Sequence, residues 1–124
     1  MLNDKRVLVI DDNLVIQDIL KQFLGREYTV DVAGSASLAL AAVVQKNPDA
    51  ILLDVKLPGV DGLDLLKSLR EIGVKTPIFV MTGYDSTEFG REALERGATG
   101  YLAKPFSLAH IDKLIADAVA QPVA

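Results

Sequence analysis

The sequence predicts an α/β domain of three layers, in which helices cover both faces of a five-stranded, doubly wound parallel sheet. Short apolar runs of strand length alternate five times with longer segments whose apolar residues recur at helical spacing. The connections between them are short and rich in Gly, Pro, Asn and Asp. Alternation of this kind favours parallel strands joined by crossover helices. We expect all 124 residues to form one domain, with its core between about residues 5 and 120.

The third apolar run, 50–54, organises the rest of the chain. It lies between Asn47-Pro48 and Pro58-Gly59, and its uninterrupted apolar character predicts a strand that is buried on both faces. The run ends abruptly in Asp54, and packing gives no reason for an acid at that position. The alternative is that Asp54 only begins a solvated turn, a common place for Asp.

The other four predicted strands are short segments of similar length, at 7–10, 28–32, 76–81 and 99–103. Each of the five strands precedes a predicted helix. The first helix ends at Gly25, the second opens at Gly34-Ser35, and the third follows Asp61-Gly62 and closes at Gly73. Asp85 and Glu88 form the predicted capping box of the fourth helix, and Ser107 is the predicted cap of the last.

The apolar positions at helical spacing predict which residues each helix carries toward the core. They are Ile16, Ile19, Leu20 and Phe23 in the first helix; Leu38, Ala41, Ala42 and Val44 in the second; Leu63, Leu66, Leu69 and Ile72 in the third; and Leu108, Ile111, Leu114, Ile115 and Val119 in the last.

Composition narrows the class of function. Hydrophobic residues make up 50% of the chain and charged residues 24%, which is typical of a globular protein. A formal net charge of −4 argues against direct binding of nucleic acid by this chain. The absence of cysteine excludes disulfides and thiolate metal sites. The longest apolar stretch, 38–44, is far shorter than a membrane span. We therefore expect a soluble cytoplasmic protein without a membrane partner.

The predicted functional site lies at the carboxyl ends of the strands, where ligands bind in sheets of this kind. Polar residues follow the strands there: Asp11, Asp12, Asp54, Thr82 and Lys104. Three neighbouring carboxylates would repel, so either one retains a proton or a cation lies among them. Carboxylate oxygens without histidine or cysteine suit Mg²⁺. A hydroxyl and an ammonium would donate to phosphoryl oxygens, and an aspartate is a candidate nucleophile toward phosphorus.

Taken together and in this order, these motifs resemble the receiver domain of two-component response regulators. The resemblance runs from about residue 5 to 120 and rests on the acid pair after the first strand and on the segments ILLDVKLPGVDG, VMTG and YLAKPF. It implies a flavodoxin-like fold with strand order 2-1-3-4-5. It also implies that Asp54 accepts a phosphoryl group from a sensor histidine kinase or a phosphotransfer protein.

The resemblance further implies roles for individual residues. Asp12 and Asp54 would bind Mg²⁺ directly, Asp11 through water, and Lys56 through its backbone carbonyl, and Mn²⁺ would be able to replace Mg²⁺. Thr82 and Lys104 would bind the phosphoryl group, and the Lys104–Pro105 peptide would be cis. Thr82 and Tyr101 match the family's switch pair. Lys56 and Tyr84 would modulate how water reaches the phosphoryl group.

The implied output is a change in the face formed by the fourth helix, the fifth strand and the last helix. A downstream output domain or protein would bind that face, and a homodimer that forms on phosphorylation is a further expectation. Such a domain is not an enzyme beyond assisting its own phosphorylation and dephosphorylation.

Other interpretations remain open for the whole chain and for single residues. For the whole chain there are two alternative functions. One is a docking module that is never phosphorylated, and the other is a Mg²⁺-dependent phosphatase with an aspartyl-phosphate intermediate. The phosphatase is disfavoured because the place of its second acid, two residues after Asp54, holds Lys56. Each of three residues also has an alternative structural role. Asp11 would be a helix cap, Thr82 a turn hydroxyl and Tyr101 a core residue.

Overall fold

Parallel strands and helices alternate along the chain. The computed structural model describes residues 4–83, 87–103 and 107–120. Its helices are α1 (Leu14–Leu24), α2 (Ala36–Lys46), α3 (Gly62–Glu71), α4 (Thr87–Glu95) and α5 (Leu108–Ala120). Its strands are β1 (Arg6–Ile10), β2 (Thr29–Ala33), β3 (Ala50–Asp54), β4 (Lys56–Leu57), β5 (Val60–Asp61), β6 (Ile78–Thr82) and β7 (Gly100–Ala103).

Five of these strands form one parallel sheet in the order β2-β1-β3-β6-β7. Because β4 and β5 form a separate pair, β6 and β7 are the fourth and fifth strands of the sheet, and the order is the expected 2-1-3-4-5. The predicted fold class is confirmed. After β2 the chain crosses to the other side of β1, so the winding reverses between β1 and β3. The carboxyl ends of these two neighbours therefore flank the position where such sheets bind ligands.

The core consists of two apolar layers, one on each side of the sheet. Alternate residues of a strand point to opposite faces, and β3 shows this directly. Ile51 and Leu53 pack in the layer that includes residues of α2, α3 and α4, whereas Ala50 and Leu52 pack in the layer formed with α1 and α5. All five residues of β3 are buried, as the sequence predicts.

A small hairpin follows β3 and turns the chain into α3. Lys56 pairs with Asp61 across it, and its tip contains Gly59 with φ +69°, a left-handed conformation that favours glycine. The hairpin returns Gly62 to the end of β3, where the Gly62 N–H donates to the Val55 carbonyl at 2.7 Å. A Cβ at Gly62 would lie 2.6 Å from the Asp54 carbonyl oxygen. The start of α3 therefore packs directly on the backbone that carries Asp54.

The packed face of α2 differs from the prediction. Ala39 and Val43 are the buried residues of this helix, whereas Leu38 and Val44 are 60% and 76% exposed. The segment ASLALAAVVQK is apolar on nearly every side, so spacing alone does not identify the face that contacts the sheet. In the last helix the prediction is confirmed, since Ile111 and Ile115 are buried. No helix in the described ranges is long and apolar enough to cross a membrane.

Candidate functional site

Three carboxylates converge at the carboxyl ends of β1 and β3. Asp11, Asp12 and Asp54 each offer an oxygen, and these oxygens all lie within 4.8 Å of one another. Asp11 is fully buried and Asp54 is 5% exposed, whereas Asp12 is exposed. The structure therefore brings together the three acids that the sequence places after the first and third strands. The exposed Asp12 marks the solvent side of the cluster.

The backbone and its neighbours hold Asp11 in place. The Asp11 N–H donates to the Ala33 carbonyl at 3.0 Å, which extends the ladder between β1 and β2. Its carboxylate Oδ1 accepts a hydrogen bond from the Asn13 N–H at 2.9 Å. Asn13 in turn caps α1, because its side-chain oxygen accepts from the N–H groups of Val15 and Ile16. Asp11 is thus a residue of the cluster, and the capping role belongs to Asn13.

Asp54 is held at the end of β3 in a similar way. The Val55 N–H donates to the Met81 carbonyl at 3.1 Å, so the ladder between β3 and β6 continues past Asp54. The Asp54 Oδ1 accepts from the Lys56 N–H at 3.3 Å. Asp54 is therefore buried rather than placed in a solvated turn, and the first residue of the hairpin orients its carboxylate.

The donor set fits a small divalent cation. Mg²⁺ binds oxygens at about 2.1 Å in octahedral geometry, so two ligands on opposite sides of the ion are about 4.2 Å apart. Three carboxylate oxygens within 4.8 Å match a site in which some oxygens bind directly and others through water. All three are hard oxygen donors, which favours Mg²⁺ or Mn²⁺ over softer metals.

Thr82 lies beside this cluster at the end of β6. The register pairs Asp54 with Met81, so Thr82 stands one residue beyond the acid on the neighbouring strand. Thr82 is completely buried, which does not fit a solvated turn hydroxyl. The structure therefore places its side chain inside the protein at the edge of the sheet that carries the three carboxylates.

Tyr101 lies farther out, on β7. It pairs with Val80 and is 37% exposed, so it is not a residue of the buried core. Its ring packs against Gly90 of α4, where a Cβ would lie 2.4 Å from the Tyr101 Cε1 atom. Tyr101 thus connects the surface of β7 with α4.

Three predicted site residues lie outside the described ranges: Tyr84, Lys104 and Pro105. Asp85, the predicted cap of the fourth helix, also lies outside them. Conversely, the structure reveals two residues that the sequence did not single out. Gln17 donates from its side chain to the Asp11 carbonyl, and Gly62 contacts the backbone of Asp54. Glutamine is common in helices, and the position of Gln17 in the sequence does not indicate this contact.

A model of the response regulator receiver domain matches residues 7–116. Among curated proteins, the response regulator MprA of Mycobacterium ulcerans (strain Agy99) is 39% identical over 104 residues, which cover 83% of this chain and 45% of that protein. MprA of Mycobacterium leprae (strain TN) is 38% identical, and the alignment covers 83% of this chain and 46% of that protein. The matched part of the chain therefore covers less than half the length of each of these relatives.

Solved structures show the same likeness in three dimensions. The receiver domain of the Francisella response regulator 1452 superimposes with a TM-score of 0.90 and 32% identity, covering 94% of this chain and 98% of that one. A CheY-like receiver domain protein from Methanospirillum hungatei JF-1 superimposes with a TM-score of 0.87 and 30% identity, covering 95% of each chain.

Proposed function

Because this chain belongs to the response regulator receiver domain family, we propose that it accepts a phosphoryl group on the carboxylate of Asp54. The convergence of Asp11, Asp12 and Asp54 at one edge of the sheet is the observation that carries this proposal. An Asp54 oxygen forms the new bond to phosphorus while the P–N bond of a phosphohistidine breaks. The departing imidazole, which carries a proton on its other ring nitrogen, retains the electron pair. The product is an aspartyl phosphate and a neutral histidine on the donor.

The acidic cluster supports a requirement for Mg²⁺, which Mn²⁺ is able to replace. Asp12 and Asp54 would be direct ligands, Asp11 would act through water, and the Lys56 carbonyl would complete the protein's share. The bound ion supplies positive charge that offsets the repulsion between the carboxylates and the incoming phosphoryl oxygens. The burial of Asp11 and Asp54 strengthens this effect, since charges interact more strongly away from water.

Thr82 and Lys104 are the proposed donors to the phosphoryl oxygens. For Thr82, its burial at the end of β6 beside Asp54 supports the role. For Lys104, as for the cis peptide to Pro105, support comes from the YLAKPF motif. Lys56 and Tyr84, each two residues after a site residue, are proposed to modulate the access of water to the phosphoryl group.

Phosphorylation would switch the face formed by α4, β7 and α5. A phosphoryl group shifts the equilibrium between two conformations of the domain only through contacts that differ between them. The hydrogen bond from Thr82 to a phosphoryl oxygen would be such a contact. Tyr101 would respond by moving its ring. Because that ring packs on Gly90, its movement would be transmitted to α4.

The proposed partners follow from this chemistry. A sensor histidine kinase or phosphotransfer protein in the cytoplasm would supply the phosphoryl group. An output domain or a separate protein would bind the α4–β7–α5 face, and phosphorylated chains would form a homodimer. The curated relatives are about twice as long as this chain, which leaves room in such proteins for an output domain.

Intact-mass analysis with acetyl phosphate and Mg²⁺ tests the proposal. We expect one phosphoryl adduct on the wild-type chain, none after Asp54→Asn and none when the metal is chelated. Asp18→Asn, a change of the same kind at an exposed position of α1, should leave the adduct in place. If the wild-type chain binds Mg²⁺ but forms no adduct, the acceptor role is wrong and the docking module becomes the better interpretation.

A further inference from the structure

The side chain of Gln17 turns back from α1 to the end of β1. Its amide nitrogen donates a hydrogen bond to the backbone carbonyl of Asp11. Strand β2 ends at Ala33, whose carbonyl accepts from the Asp11 N–H. The Gln17 amide therefore bonds the backbone carbonyl just past the end of β1, where β2 no longer runs beside the chain.

Gln17 is half-buried and its amide lies close to Gly34. A Cβ at Gly34, in the turn after β2, would lie 3.4 Å from the Gln17 Nε2 atom and 3.9 Å from the Asp11 carbonyl oxygen. The glutamine amide thus fits between the first turns of α1 and the β2–α2 connection. The contact joins the end of β1 to the first turns of α1, and Gly34 brings the β2–α2 connection beside it.

The Asp11 carbonyl belongs to the peptide that links Asp11 to Asp12. This peptide is planar, so a bond that fixes the direction of its carbonyl also fixes the direction from one aspartate to the next. The Asp11 carboxylate has a second restraint, the Asn13 N–H. The Asp12 carboxylate is exposed and accepts no hydrogen bond from the side chains or backbone of the described residues. Its position within the cluster therefore depends mainly on the backbone.

We propose that Gln17 is a positioning residue for the metal site, because its hydrogen bond to the Asp11 carbonyl turns the Asp11 and Asp12 carboxylates together toward Asp54. This inference rests on the proposed function, since it assigns the cluster to Mg²⁺. Residues that orient metal ligands typically change metal affinity by about 10–100-fold when they are removed. Gln17 acts through the backbone, so we expect the lower end of that range, about tenfold.

Two variants of α1 provide a matched test. Gln17→Met retains the length of the side chain and removes the donor. Gln22→Met makes the same change at an exposed position on the same helix. Isothermal titration with MgCl₂ should give a dissociation constant about tenfold higher for Gln17→Met than for the wild type, and an unchanged value for Gln22→Met. Gln17→Asn, which retains an amide too short to reach Asp11, should weaken binding similarly and provides a second variant if Gln17→Met does not fold.

The same titrations separate a positioning role from a purely structural one. A residue that only stabilises the fold would lower the unfolding midpoint of the metal-free protein and leave Mg²⁺ affinity unchanged. That result for both Gln17 variants would overturn the inference, while a wild-type chain that binds Mg²⁺ and is phosphorylated would leave the proposed function intact. A wild-type chain that does not bind Mg²⁺ would overturn both. A backbone amide shift at Asp12 in the NMR spectrum of metal-free Gln17→Met would support the stated mechanism directly.

Discussion

The ring of Tyr101 lies against the backbone of Gly90, so closely that a Cβ at Gly90 would come within 2.4 Å of Cε1 and 2.5 Å of Cζ. Any other residue at position 90 would have to displace the ring. Gly90 is buried although α4 lies at the surface, because Tyr101 covers it. The contact joins two elements of the proposed signalling face, and it makes the position of the ring sensitive to the position of the helix.

Gly90→Ala should change stability in opposite directions in two backgrounds. In the wild-type chain the added methyl group must displace the Tyr101 ring, which we expect to cost about 1–3 kcal/mol, as for overpacking elsewhere. In a Tyr101→Ala background the obstacle is gone, and the same change should stabilise α4 by up to about 1 kcal/mol, because alanine has the higher helix propensity. Urea unfolding of the four proteins measures both effects. A change of the same sign in both backgrounds would contradict the contact.

Gly62→Ala should be strongly destabilising. Its Cβ would lie 2.5 Å from the Val55 Cα and 2.6 Å from the Asp54 carbonyl oxygen, which are backbone atoms that no side-chain rotation can move away. We expect a loss of about 2–3 kcal/mol in the free energy of unfolding. Gly83→Ala is the matched control, because a Cβ there meets nothing within 4 Å. Equal stability of the two variants would show that the backbone contact is not as close as described.

Arg70→Met should destabilise the protein, because Arg70 joins α3 to the segments that follow α4 and precede β6. The Arg70 guanidinium donates to the carbonyls of Gly97, Val74 and Thr76 at 2.8–2.9 Å, and partial burial lowers its pKa. Removing the side chain leaves these carbonyls without that donor. We expect the free energy of unfolding to fall by about 2–4 kcal/mol, because hydrogen bonds to charged groups are stronger than those between neutral groups.

Arg96→Met is the comparison for Arg70→Met. Arg96 forms exposed ion pairs with Asp64 and Glu92, and the hydrogen bond to Asp64 raises its pKa. Exposed pairs of this kind contribute little and are screened by salt. Denaturation at low and high salt should show a small, salt-sensitive effect for Arg96→Met and a larger, salt-insensitive one for Arg70→Met. A larger loss of stability for Arg96→Met than for Arg70→Met would contradict this prediction.

Tyr28 should make the protein less stable at alkaline pH. Burial raises the pKa of its phenol above the ordinary value of about 10, and the nearby charges of Asp112 and Glu27 raise it further. Above pH 10 the unfolded chain loses the Tyr28 proton while the folded chain retains it. Unfolding then releases a proton, so the free energy of unfolding falls as pH rises toward the folded pKa.

Tyr28→Phe removes this titration. After the difference between the two proteins at pH 7 is subtracted, the variant should lose less stability than the wild type between about pH 9 and pH 11. Urea unfolding of both proteins at half-unit intervals of pH measures this difference in stability. Parallel curves for the two proteins would show that Tyr28 does not titrate differently in the folded and unfolded chains.

The sequence alone determined the order of the elements, the fully buried strand β3 and the meeting of three acids. These features follow from local patterns: an uninterrupted apolar run of five residues, and acids that directly follow parallel strands whose carboxyl ends share one edge. The strand order came from the resemblance to the family, and the structure confirms it.

Only the tertiary structure decided which surfaces meet. Spacing reports the period of a helix and the width of its apolar stripe, and α2 is apolar on nearly every side. The prediction that Leu38 and Val44 face the core was therefore wrong, and the sheet selects Ala39 and Val43 instead. The contacts of Gly90 with Tyr101 and of Arg70 with Gly97 join residues from separate elements. Local sequence carries no signal for such pairs, because each depends on the distance between elements after they have packed.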